Sequence, residues 1–109
     1  MMLSRGDLVR VLPQYGWGWT RQGARVEEPP PFTIEITEAS SEPGPIVGAV
    51  RTANHPLTGL WVSLYRRTGG PQPTFTLLAH REPPALLGLR GPQEAPSSIV
   101  QGYAMIEDA

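Results

Sequence analysis

The chain of 109 residues contains no cysteine, so disulfides and thiolate metal sites are excluded. A cysteine-free chain suits a reducing compartment, and a cytoplasmic location is the expectation. Lysine is absent as well, and all nine basic residues are arginine. Against ten acidic residues they leave a net charge of −1, which lacks the basic excess of a general nucleic-acid binder. No apolar run approaches the roughly 18 residues a transmembrane helix needs, and the start has no apolar segment of signal-peptide length. A soluble protein without membrane contact is expected.

Long helices are scarce for a different reason. Thirteen Pro and twelve Gly interrupt the chain too often to leave room for them. The Arg-, Gly- and Pro-rich usage, bacterial in type, fits a GC-rich genome. The length fits one domain, since two cores of about 50 residues each would both be marginal.

Between the breakers lie short runs that favour β structure, at the spacing of a strand meander. Leu8–Leu12 opens after Gly6-Asp7 and stops at Pro13. Residues 32–37 alternate cleanly, with Phe32, Ile34 and Ile36 on one face and Thr33, Glu35 and Thr37 on the other. Residues 46–51 follow, with Gly48 marking a bulge or a close approach. Residues 60–66 and 74–79 read as a hairpin around a proline-stiffened loop, and residues 23–27 as part of a sixth strand. After Arg81 the texture loosens: residues 85–90 read as a helical turn or a short strand, residues 91–98 as a linker, and residues 99–106 as a final strand. The expectation is therefore all-β: a small barrel or compact sandwich of five to seven short antiparallel strands over residues 1–81. Residues 82–109 form an irregular extension that packs on the domain or on a partner.

Charge comes in blocks. Residues 27–50 carry five Glu and no base, whereas residues 51–90 carry five Arg and one Glu. Interleaved in a folded meander, such blocks neutralise each other; kept apart, they give an Arg-rich face able to steer an anionic partner.

The densest candidate for chemistry is the stretch from Tyr15 to Arg25, which holds Tyr15, Trp17, Trp19, Arg21 and Arg25 around Gly16 and Gly18. Rings beside guanidinium groups suit the gripping of a peptide or stacking on bases. The competing role is structural, because a small β domain is short of core volume and one or both Trp could fold under the loop to supply it. The five residues are taken as the partner-binding set. Nucleic acid is the alternative, with Arg10, Arg66 and Arg67 joining Arg21 and Arg25.

Gly6 to Leu12, the aromatic loop, and the return through Gly23 to Val26 resemble the opening of SH3-like small barrels. That group includes the KOW-type domains and the photosystem I subunit IV family. The resemblance covers residues 6–26 and implies a barrel topology. Its KOW-type members would imply RNA or ribosome contacts, and the photosystem group docking to redox proteins. The chain departs from the pattern at Pro29-Pro30-Pro31 and in lacking Lys.

Other motifs point to little chemistry. His55 and His80 lack metal-ligand spacing, Ser40-Ser41 and Ser97-Ser98 lack a nucleophile elbow, and Gly69-Gly70 lacks the Lys of a phosphate loop. Arg5-Gly6-Asp7 reads as a strand-opening turn, and Glu27 to Pro31 as a stiff spacer. No enzyme, cofactor or metal is expected. The leading reading is a non-catalytic binding or assembly module for a protein partner, with homodimerisation through open edge strands as a further option.

Overall fold

A computed structural model describes residues 3–19, 27–39, 45–67, 73–84 and 98–109. Among them there is no helix, and seven strands build one antiparallel sheet. These are β1 (Leu8–Pro13), β2 (Gly18–Trp19), β3 (Phe32–Ala39), β4 (Ile46–Val50), β5 (Trp61–Arg66), β6 (Phe75–His80) and β7 (Ser98–Asp108). Their order is β1-β3-β4-β5-β6-β7-β2, and β1 also pairs with β7, so the sheet closes into a six-stranded barrel. β1 and β2 run one after the other along β7 and together act as one stave.

The barrel interior follows the period-two pattern. Val9 and Val11 from β1 meet Phe32, Ile34 and Ile36 from β3, then Val62, Leu64, Leu77, Ala79, Val100 and Ala104, in one buried cluster. The first strand opens at a turn through Gly6 (φ +94°), whose N–H reaches the Ile36 carbonyl at 2.7 Å. β3 carries a bulge between Ile36 and Glu38, opposite Gly48 and Val47. A Cβ on Gly48 would stand 2.9 Å from the Glu35 carbonyl oxygen, so the glycine serves both readings at once, the bulge and the close approach.

Residues 51–60 close one end of the barrel. Leu57 enters the core, and His55 holds the turn together. Because the Leu57 N–H donates to His55 Nδ1 (3.1 Å), the ring proton sits on Nε2, which donates to the Pro30 carbonyl (2.8 Å). The His55 ring lies 4.8 Å from that of Phe32. The proline spacer is thus anchored to the chain's own turn.

One boundary needs correction. Residues 98–108 are the longest strand and the stave that joins β6 to β1, so the barrel does not end at residue 81 and its closing strand is no irregular extension. The strand expected at residues 99–106 is present and longer than expected; what no local pattern shows is that it pairs with both β6 and β1 and so belongs to the barrel wall. The sixth strand expected at 23–27, the hairpin loop at 68–72 and the segment 85–97 lie outside the described residues, save Glu27. No described helix is long and apolar enough to cross a membrane.

Candidate functional site

The site grows from an irregularity in the β1/β2 stave. Pro13 pairs with Ala104 and Gly18 with Gln101, so four residues of this stave lie opposite two of β7. The surplus is absorbed at Gly16, whose φ of +77° other residues avoid. Two backbone bonds pin the bulge: the Gln14 N–H to the Tyr103 carbonyl (2.8 Å) and the Tyr103 N–H to the Tyr15 carbonyl (2.9 Å).

The bulge sends its two aromatic residues in opposite directions. Trp17 turns inward, is 4% exposed and joins the core. Its indole lies flat against Gly102, where a Cβ would come within 2.2 Å of the ring. The indole N–H has no hydrogen-bond partner among the described residues, a cost of ~1–3 kcal/mol that burial of so large a ring offsets. Tyr15 turns outward and is 62% exposed. Its ring sits 5.0 Å from that of Tyr103, tilted by 58°. Gly16 leaves space for this pair, since a Cβ there would meet the Tyr103 ring at 2.9 Å.

Arg67 completes the cluster. It follows β5, and its N–H to the Thr74 carbonyl (2.9 Å) prolongs the β5–β6 hairpin. The guanidinium carbon lies 4.0 Å from the Tyr103 ring centre, while Nη1 donates to the Tyr15 hydroxyl oxygen at 3.1 Å. That hydrogen bond holds Arg67 still further toward its charged form. One guanidinium is therefore fixed by a ring face and a phenol oxygen. No carboxylate among the described residues pairs with it.

The expected binding set divides accordingly. Tyr15 is in the cluster; Trp17 is corrected to a core residue, because the bulge leaves it no outward path and the interior needs its volume. Trp19 pairs through its backbone with Val100, its side chain lying outside the described residues, as do Arg21 and Arg25 entirely. Of the arginines proposed for nucleic acid, Arg67 belongs to the cluster and Arg66 is exposed at the end of β5. Arg10 faces Glu107 at 3.7 Å, and Arg51 meets Glu35 at 3.2 Å, so the acidic block of residues 27–50 and the basic block of residues 51–90 meet at the second pair. Tyr103 escaped the sequence reading. Its signal was the alternation Gln101, Tyr103, Met105 set against Gly102 and Ala104, which marks an outer face on β7.

A second polar pair lies elsewhere. Ser63 Oγ and His80 Nε2 are 2.8 Å apart on the outer face of β5 and β6, both 0% exposed. Burial lowers the His80 pKa below the usual histidine value. Among the described residues no group of His, Asp and Glu is placed to hold a metal ion. Comparisons with protein-family models, curated proteins and solved structures found no match.

Proposed function

We propose that the protein is a non-catalytic small-barrel binding module that meets a protein partner through Tyr15, Tyr103 and Arg67. The carrying observation is the fixed guanidinium, 4.0 Å above Tyr103 and bonded to Tyr15, on an exposed part of the wall. Exposed aromatic residues and arginine are the types that anchor protein interfaces, and their entropy cost is reduced when neighbours already hold them. A catalytic reading has little to support it, because the Ser63–His80 pair, the Ser–His contact seen among the described residues, is enclosed. The likeness of residues 6–26 to SH3-like barrel openings belongs to this reading, supported by a Gly-led first strand feeding an aromatic loop. So does a cytoplasmic location, supported by the absence of cysteine. Homodimerisation by edge pairing has less to support it, because β1 and β7 occupy each other's edges.

The test is affinity capture from native lysate on wild-type protein and on the Tyr15→Ala/Arg67→Ala double variant, with and without nuclease. A nuclease-resistant protein retained by the wild type and reduced about tenfold on the variant supports the reading. Equal retention on both proteins overturns it. The second reading, single-stranded nucleic acid stacked on Tyr15 and Tyr103 with Arg66 and Arg67 on phosphates, is favoured by the same two rings, of which Tyr15 is exposed and Tyr103 half-buried. Its mark is retention lost on nuclease treatment and an affinity falling steeply with salt.

A further inference from the structure

The cluster does not stand alone on its face. Tyr103 and Met105 are alternate residues of β7 and so share the outer side, and the β1 register sets Leu12 directly opposite Met105. Leu12 and Met105 are both half-buried. One step further along the same two strands, Arg10 and Glu107 form their own ion pair. Read along β7, the outer wall therefore presents a charged aromatic end, an apolar step and a neutralised step.

Two features select the chemistry that fits. Arg67 is positioned by two contacts, the Tyr103 ring and the Tyr15 hydroxyl, and has no carboxylate partner among the described residues, so it is placed to receive an anionic group, with its remaining N–H donors suited to a carboxylate. The neighbouring step is uncharged and apolar, which suits an aliphatic side chain and disfavours a polyanion. A nucleic-acid backbone needs several cations in sequence, and the Arg10 beyond is already neutralised by Glu107. The spacing also matters. Tyr103 and Met105 are two strand residues apart, about 6.8 Å, which is the repeat of same-side side chains in an extended peptide.

Resting on the binding-module reading above, we propose that the partner segment is an extended acidic peptide, its Asp or Glu carboxylate held by Arg67 against Tyr103 and an aliphatic residue two positions away seated on Leu12 and Met105. The chain reads an acidic-x-aliphatic pattern, and the acid supplies most of the specificity because a charge-assisted bidentate contact is stronger than a neutral one.

The experiment uses the full chain labelled with ¹⁵N and titrated with three blocked peptides, Gly-Glu-Ser-Leu-Gly, its Glu→Gln form and its Leu→Ser form, and separately with a ten-residue oligothymidine. Expected are shifts of the Arg67 Nε–H and the Tyr103 and Met105 amides that saturate with the Glu peptide. Affinity should be weaker by about tenfold with the Gln form, less so with the Ser form. The Arg67→Ala variant, whose substituted side chain is outside the core, should show the loss for the Glu peptide while keeping its thermal midpoint. Equal shifts from the Glu and Gln peptides, shifts confined to other residues, no shifts, or tighter binding of the oligothymidine would each overturn the acidic-peptide inference. Lysate capture separates this from the parent reading: a protein still lost from the Tyr15→Ala/Arg67→Ala variant leaves the patch standing with a different occupant. Equal capture removes both.

Discussion

On the outer face of β4, β5 and β6, Val47, Ala49, Ser63, Leu78 and His80 are buried as deeply as the residues inside the barrel. Across the barrel, the outer positions of β1, β3 and β7 keep contact with water: Leu8 is 53% exposed, Thr33, Glu35 and Met105 are half-buried, and the two surface ion pairs lie here. In a small barrel the inside is dry by construction, so the difference between the two outer halves is the informative one. The dry half carries a second small cluster, Tyr65 with Leu78, and a hydrogen-bonded polar pair. The wet half carries Tyr15 and Tyr103, the rings against which the Arg67 guanidinium from the end of the β5–β6 hairpin is held. Buried packing is concentrated on one half of the wall, and the proposed recognition surface lies on the other.

The strongest way to break this comparison is to make the same substitution on both halves. Leu78→Ala removes a buried side chain from the dry half and should cost about 2–5 kcal/mol. Leu8→Ala on the wet half should change stability by less than about 0.5 kcal/mol. Urea unfolding at constant m-value measures both. Similar losses for the two variants would remove the distinction.

A smaller effect is expected where the wet half rests on the interior. Gly102→Ala places a methyl group within 2.2 Å of the Trp17 indole, a rigid ring with little room to move. Overpacking of this kind costs roughly 1–3 kcal/mol. The cost should shrink in a Trp17→Phe background, because the smaller ring relieves the overlap; a double-mutant cycle by urea unfolding gives that coupling. Additive losses would mean that Gly102 is needed for something other than the indole.

The two halves were not equally legible in the sequence. β3 announces itself because one face is wet, and Phe32, Ile34 and Ile36 alternate with Thr33, Glu35 and Thr37. β4 and β6 are buried on both faces and read as continuous runs, so their strand character is visible but their outward partners are not. The bond between Ser63 and His80 spans 17 positions and follows only from the β5–β6 register. At the site, the richness of the Tyr15–Trp19 stretch was visible, but the opposite turns taken by Tyr15 and Trp17 were not. They depend on the bulge at Gly16 and on the bare backbone at Gly102, which stands on a strand far along the chain. Tyr103 was hidden for the same reason: its neighbours in the cluster are brought by pairings of β7 that no local pattern encodes.

The smallest expected effect concerns acid and the dry half alone. His80 is enclosed and accepts or donates one hydrogen bond with Ser63, and its burial disfavours the imidazolium. The unfolded chain, with a histidine pKa of about 6.5, takes up a proton there before the native state does. Between that value and the lowered native one, the unfolded state binds more protons, so stability falls as pH drops from about 7 through this window and levels off below the native pKa. His80→Gln keeps a hydrogen-bonding group beside Ser63 and removes the titration. Its unfolding free energy, followed by urea titration from about pH 7.5 to 5, should decline less steeply than that of the wild type, the two curves converging toward acid. Charges common to both proteins cancel in that difference, the two ion pairs of the wet half included. Parallel curves would mean that water reaches His80 in the native state, and the outer face of β5 and β6 would then be no drier than that of β1 and β7.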